Sequence, residues 1–382
     1  MSTLGVPADH PLTLDGDIAV LTERIIALES VSGGEKPLAD AVESALQALP
    51  GLTVHRDGDT VLARTETGAQ QRVVLAGHLD TVPLPTRPGS RGTVPPQWEG
   101  DVLYGRGAVD MKGGVAVQLQ LAAEVAASLS QREVDESLPR DITWVFYDHE
   151  EVAAEKSGLG RVLRNSPELL EADFGVLLEP TDGVVEGGCN GTARYRVTVA
   201  GTTAHSGRAW MGRNAIHAAA PLLTALEEYS PKTVDVDGLA YREGLNAVRI
   251  SAGIAGNVIP DACTVEINYR FAPDKTEEQA HAHVAEVLGR VGISADAIEV
   301  TDTSASARPG LDHAAAASFV AAVGGEPKPK YGWTDVARLS AVGVPAVNFG
   351  PGSALLAHTD DEHVHAQSIR DCHAALRRWL LG

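Results

Sequence analysis

The chain has 382 residues and a formal charge of −20, from 31 Lys plus Arg against 51 Asp plus Glu, which is length enough for two domains and a sizeable core. Hydrophobic residues make up 44 % and aromatic residues only 4 %, so the acidic balance and the scarcity of stacking rings exclude a nucleic-acid partner. No apolar stretch approaches the roughly 20 residues needed to span a bilayer, which excludes a spanning helix, and no membrane partner is expected.

In chain order, "DIAVLTERIIALES" from Asp17 has apolar residues at helical spacing and predicts a first helix. "RVVLAGHLD" (72–80) predicts a buried strand ending in functional groups, and "GGVAVQLQLAAEVAASL" (113–129) a helix opened by glycines. "DITWVFYDHEE" (141–151) and "FGVLLEP" (174–180) repeat the form of an apolar body with an acidic tip. Strands alternating with helices point to an α/β catalytic domain with a mostly parallel central sheet, in which ligands collect beyond the carboxyl ends of the strands. The pattern then changes. "ARYRVTVAG", "AVRISAGIAG" and "ACTVEINYRFAP" alternate polar and apolar residues, as half-exposed antiparallel strands do. "NAIHAAAPLLTALEEY" (214–229) and "TEEQAHAHVAEVLGRVG" predict helices, the second opened by a Thr276–Gln279 capping box. This α+β module over 189–301 interrupts a first domain made of 1–188 and 302–382, whose α/β character returns in "VPAVNFGPG" and "SIRDCHAALRRWLL". "LPTRPGSRGTVPP" (84–96) reads as a surface loop. Cys189, Cys263 and Cys372 are isolated and odd in number, which suits a reducing compartment. "MSTLGVPADHPLTLDGD" has neither the basic nor the apolar region of a secretory signal, so a cytoplasmic location is expected.

Five segments offer oxygen or imidazole ligands: "GHLDT" (His78, Asp80), "GRGAVDMKGG" (Asp110), "HEE" (Glu150, Glu151), "LLEP" (Glu179) and "LAHTDDEH" (His358). Histidine with carboxylate and no thiolate suits a catalytic zinc, manganese or cobalt site rather than a structural zinc finger. Read singly, Asp110 also suits a helix cap, Glu179 a turn before proline, and the Glu150–Glu151 pair a solvated loop. His363 and His365 compete with His358 as ligands. Asp80, two residues after His78, is expected on the same strand face, accepting the imidazole's second N–H and fixing its tautomer. Along an extended segment, Glu150 and Glu151 would point to opposite sides. His281 and His283 lie two apart on a helix and share no face.

"GHLDTVP", "LYGRGAVDMKGG", "YDHEEV" and "LLEP", in this order and spacing, resemble the co-catalytic dinuclear zinc amidohydrolases, the family of carboxypeptidase G2, acetylornithine deacetylase and aminoacylase. The resemblance covers nearly the whole chain. It implies two Zn2+ per subunit, with Co2+ or Mn2+ as alternatives. His78 and Glu179 would hold one ion, Glu151 and His358 the other, and Asp110 both. It also implies a cis peptide between Asp110 and Met111, and Glu150 as general base and then general acid. His205 in "AGTTAHSGRAWMGRNAIH" would stabilise the oxyanion across a homodimer built by the inserted domain, a ferredoxin-like α+β fold.

"YREGLNAVRISAGIAGNVIPDACTVEINYRFAPD", "KYGWTDVARL" and "PAVNFGPGSALLAHTDDEHV" carry a narrower likeness to the family's desuccinylase branch of actinobacterial type. That likeness implies hydrolysis of a small N-acyl amino acid, N-succinyl-LL-2,6-diaminopimelate, with Arg270 gripping a substrate carboxylate and Asn257 nearby. Deacylation of another substrate such as acetylornithine, an aminoacylase, and a non-catalytic paralogue are the rival readings. The chain departs from the pattern at "EGGCNGTARYR", where gripping arginines are absent and Asn190 and Thr192 stand, and at "GWTDVAR". Trp333, Thr334 and Asn348 are expected substrate contacts.

Overall fold

The apolar runs of the sequence become the middle of a sheet. The computed structural model describes residues 12–131 and 138–382; the stretch 1–11, part of the segment read for a targeting signal, lies outside the described residues. The chain divides into two compact units, Met1–Gly187 with Gly310–Lys328 and Arg338–Gly382, and Gly188–Pro309 with Pro329–Ala337.

In the first unit the sheet order runs Thr53–Asp57, Thr60–Arg64, Asp141–Tyr147, Arg72–His78, Phe174–Leu177, Ala346–Asn348 and Glu186–Gly187. The central members are parallel: Arg72–His78 pairs with Asp141–Tyr147 on one side and Phe174–Leu177 on the other, and Phe174–Leu177 pairs with Ala346–Asn348. Both faces are covered, which is why these strands read as continuous hydrophobic runs rather than alternating ones. The helix Ile18–Ala27 starts at Asp17, whose side chain caps the N–H of Ala19, and the glycine-opened helix spans Gly113–Leu129. Gly114 is required there: a Cβ would sit 2.4 Å from the carbonyl oxygen of Leu178, so only glycine lets the helix start press onto the neighbouring strand end. The C-terminal helix, Ala366–Leu381, buries Trp379 against Phe319 and Phe174, with ring centroids 4.8 and 6.0 Å apart. Such pairs add about 0.5–1.5 kcal/mol beyond area burial. A small antiparallel sheet joins His363–His365 to Val102–Tyr104 and Gln97–Glu99, tying the chain's last loop to the segment before Asp110.

The second unit is a four-stranded antiparallel sheet, ordered Gly244–Ala252, Ala262–Phe271, Gly191–Ala200 and Ile298–Ser304. Ala262–Phe271 alternates strictly in burial, and Tyr195, Val197, Val265 and Ile267 pack with Leu222, Val284 and Leu288 of the helices. The capping box is present: the Gln279 N–H donates to Thr276 Oγ1 at 3.3 Å, and the Thr276 N–H donates to Gln279 Oε1 at 2.9 Å. The helix expected over 214–229 is instead two, Ala215–Ala218 and Ala220–Glu227, broken at Ala219. Pro221 has no N–H to continue the first ladder but suits the first turn of a new helix. Among the described residues no helix is long and apolar enough to cross a membrane.

Candidate metal centre

Parallel pairing sets His78 level with Tyr147. On the other side Ala76 pairs with Leu177, which carries Glu179 to the level of His78. The loops leaving these strand ends, the segment before helix Gly113–Leu129, and the loop before His363–His365 therefore open at one sheet edge. Polar atoms converge there. His78 Nε2 lies 3.0 Å from Asp110 Oδ1, and His358 Nε2 lies 3.2 Å from Asp110 Oδ2 and 2.9 Å from Glu151 Oε1. Each carboxylate oxygen of Asp110 thus faces a different histidine. Ligand atoms of His78, Asp110 and Glu151 all lie within 4.8 Å of one another. The peptide Asp110–Met111 is cis. Glu179 is buried at its strand end.

The electrostatics favour a cation. Burial opposes charging of His78, yet the hydrogen bond and charge of Asp110 raise its pKa well above the ordinary value. Asp110 and then Glu151 push His358 up to about 10. Burial raises Asp110, but His358 and His78 more than reverse it and hold the carboxyl far below the carboxylate range. Carboxylates placed to pull protons onto imidazole can instead hold a divalent cation, and an oxygen–imidazole set without thiolate suits one.

Two expectations are corrected. The Asp80 carboxylate is not the partner of the His78 ring. Nδ1 of His78 lies 2.9 Å from the main-chain carbonyl of Asp80 and 3.6 Å from its Oδ1, so the carbonyl fixes the tautomer. The fully buried carboxylate instead accepts the N–H of Glu150 at 2.9 Å, the N–H of Glu151 at 3.0 Å and the hydroxyl of Ser32 at 2.6 Å. Nor are Glu150 and Glu151 separated by strand alternation. The strand ends at Tyr147, and His149 has a left-handed φ of 60°. Successive N–H groups of an extended chain diverge; here both reach one carboxylate, the concave arrangement that binds anions. Glu35, also fully buried, accepts the N–H of His149 at 3.2 Å. Of the histidines competing as ligands, His363 turns Nδ1 to the carbonyl of Asp361 at 2.7 Å, and His365 precedes the last helix as its N-cap. His358 has a left-handed φ of 62°, as His149 on its loop does.

Spacing did not disclose Ser32, Glu35, Arg106 or Glu362. Glu362, 1 % exposed, accepts the main-chain N–H of Val109 at 3.1 Å and of Asp110 at 3.2 Å, and pairs with Arg106, 3 % exposed, at 2.8 Å. Its one sequence signal was membership of the same "HTDDEH" segment as His358. Asn348 is buried, its side-chain N–H2 directed to the carbonyl of Glu186 at 3.4 Å.

In the second unit His205 is exposed and its Nδ1 accepts the N–H of Gly207 at 3.0 Å, while the N–H of Ser206 donates to the carbonyl of Asn257 at 2.9 Å. Those bonds bring Asn257 to the His205 turn. Arg270 donates from Nε to Asn268 Oδ1 at 3.2 Å; burial, then the charge of Arg194, lowers its pKa. Among the described residues it forms no ion pair with a carboxylate, though the charge of Asp302 acts on it. The Trp333 indole donates to the carbonyl of Ala305 at 3.0 Å, and Thr334 is buried with its carbonyl 3.7 Å from Cys189 Sγ.

Known proteins resemble the chain over most of its length. The profile of Peptidase family M20/M25/M40 matches residues 74–382. A putative succinyl-diaminopimelate desuccinylase DapE of Mycobacterium tuberculosis (strain ATCC 25618 / H37Rv) is 48 % identical over 97 % of this chain and 100 % of its own. A succinyl-diaminopimelate desuccinylase of Corynebacterium glutamicum is 43 % identical over 97 % of each. Among solved structures, the M20 family metallo-carboxypeptidase Sso-CP2 from Sulfolobus solfataricus superposes with a TM-score of 0.77 at 16 % identity, covering 96 % of this chain and 99 % of that one, a likeness of fold. The chain belongs to peptidase family M20/M25/M40.

Proposed function

We propose that the chain is a metal-dependent amide hydrolase that converts N-succinyl-LL-2,6-diaminopimelate and water to succinate and LL-2,6-diaminopimelate. The observation that carries this is the full-length likeness to the two desuccinylases, combined with a convergent imidazole–carboxylate cluster at the sheet edge. His78, Asp110, Glu151, Glu179 and His358 would hold two divalent cations, zinc by the resemblance, with Asp110 shared between them; its two oxygens already face different histidines. Cations so held supply Lewis-acid polarisation of an amide carbonyl and a water of lowered pKa. Glu150 takes a proton from the attacking water and returns it to the leaving amine nitrogen. Asp80 positions that base by holding the N–H groups of Glu150 and Glu151. Arg270 offers a planar fork to a substrate carboxylate. The buried free cysteines suit a reducing, cytoplasmic setting.

The inserted α+β module, read over 189–301, would build a homodimer in which His205 serves the partner's site. Strand Gly244–Ala252 lies at a sheet edge with Ile250 51 % exposed, and Trp210 and Ile254 are 81 and 83 % exposed. Open strand edges and large exposed apolar groups are the usual material of such an interface. Purified, metal-loaded protein given N-succinyl-LL-2,6-diaminopimelate and N-acetylornithine separately, with amine release measured, tests the substrate. The succinyl compound is expected to turn over much faster; a faster acetylornithine reaction overturns the assignment.

A further inference from the structure

We propose that Glu362 is the positioning residue that seats Asp110, and so sets the affinity of the metal centre; this rests on the metal-binding reading above. One oxygen of Glu362 accepts the N–H of Val109 and of Asp110 itself, at 3.1 and 3.2 Å, and the other meets the Arg106 guanidinium at 2.8 Å. Glu362 stands four residues after His358, whose Nε2 lies 3.2 Å from Asp110 Oδ2. A single short loop thus supplies one histidine of the cluster and the acceptor that fixes the main chain of the residue this histidine faces. Two main-chain bonds tether that loop. The N–H of Gly92 donates to the carbonyl of Asp360 and the N–H of Gly105 to that of Glu362, at 2.8 and 3.1 Å. A Cβ on Gly92 would fall 2.8 Å from the Glu362 nitrogen. Fold stability alone does not account for the pair, because a buried ion pair is often replaced by apolar groups without loss. It also puts a second anion beside Asp110. What an apolar pair cannot provide is an acceptor for the Asp110 N–H.

Two double variants isolate that acceptor. Arg106→Met/Glu362→Gln and Arg106→Met/Glu362→Met are both uncharged and similar in volume, and only the first offers an oxygen to the N–H groups of Val109 and Asp110. Zn2+ and Co2+ are titrated into chelator-stripped full-length protein against a chromophoric competing chelator, with thermal unfolding of the stripped proteins recorded alongside. The glutamine pair is expected to bind within about threefold of wild type. The methionine pair is expected to bind about 10–100-fold more weakly, the usual loss when a partner of a metal ligand is removed. Equal affinities in the two double variants overturn the proposal, whatever their unfolding temperatures. If the methionine pair does not fold, Glu362→Gln alone decides. Arg106 then claims the amide oxygen and turns N–H2 onto the Asp110 N–H, so affinity should fall about tenfold and return in Arg106→Met/Glu362→Gln; no recovery overturns it. Wild-type protein that takes up neither ion overturns the metal reading and this proposal with it, whereas normal uptake in every variant overturns this proposal alone.

Discussion

Replacing Asp80 by Asn should loosen the Glu150–Glu151 loop without emptying the core. The buried carboxylate accepts Glu150 N–H on Oδ1, and Glu151 N–H and the Ser32 hydroxyl on Oδ2. Asparagine keeps one acceptor oxygen. Its best placement preserves the two bonds of Oδ2 and sets N–H2 against the Glu150 N–H. One buried donor left unpaired costs about 1–3 kcal/mol, and two bonds reduced from charge-assisted to neutral lose roughly another 0.5–1 kcal/mol each. The sum, about 2–5 kcal/mol, falls on local opening of residues 148–152. Hydrogen exchange by mass spectrometry on chelator-stripped protein reads it directly, because bound metal would add its own protection. A peptide spanning these residues should exchange at least about 30-fold faster, since each 1.4 kcal/mol is tenfold. Turnover of the metal-loaded variant should fall as the Glu150 carboxylate loses its seat. Ser32→Ala removes one of the three bonds and should give only about a fivefold acceleration, near 1 kcal/mol. If Asp80→Asn exchanges this peptide within about threefold of wild type while staying folded, the N–H clamp contributes nothing and the reasoning fails.

Glu150→Gln should retain metal content by atomic absorption and lose about 10²–10⁴-fold in kcat, the range of a general acid–base group; unchanged turnover removes Glu150 from that role. Chelator treatment should abolish amide hydrolysis and lower the unfolding temperature, and Zn2+, Co2+ or Mn2+ should restore both; a stripped protein with full activity contradicts the metal centre. Asp141 tests pH linkage away from the site. Burial raises its pKa, but the N–H and hydroxyl of Thr67 and the hydroxyl of Thr65, at 2.8–3.0 Å, outweigh it and hold the group below the ordinary value. A depressed folded pKa gives stability that is complete above the unfolded value, near 3.9, and lost as pH falls through the folded one. Asp141→Asn should therefore lower the urea midpoint at neutral pH by the equivalent of about 1.5–3 kcal/mol and converge on wild type in acid; a constant gap at all pH values rules out the linkage. Ile250→Lys should shift the protein toward monomer in light scattering if the edge strand forms a homodimer.

Much of the frame was legible because long buried strands and glycine-opened helices announce themselves by composition. Arg72–His78, Asp141–Tyr147, Phe174–Leu177 and Gly113–Leu129 lie where the apolar runs put them, and the polar residues closing those runs became the site. The Thr276–Gln279 box was readable because its two reciprocal bonds depend on a fixed three-residue offset. What escaped was conformation beyond the ladders. Period-two alternation holds only while strand pairing enforces it, and "DHEE" lies past the last paired residue, Tyr147. The break at Ala219 escaped because the apolar pattern runs through Pro221 unchanged.

The carboxylates hardest to read were those spent on backbone. Asp80, Glu35 and Glu362 are each nearly or fully buried, and each accepts main-chain N–H groups from a segment that carries a residue of the cluster. An N–H has no identity in the sequence, so no spacing rule pairs Glu362 with Asp110 across 252 positions. The physical logic is nonetheless consistent. Loops that leave a sheet edge lose the ladder that would satisfy and orient their N–H groups. An ionised acceptor supplies the strongest replacement bond available, and it also fixes the direction in which the neighbouring side chain must leave. The cost is crowded negative charge, met locally by Arg106 beside Glu362 and, in the function proposed, by the cations themselves. A site assembled this way should tolerate exchange of its apolar surroundings better than conversion of any one of these three acids to its amide, because the amide keeps the shape while reversing a donor against a donor.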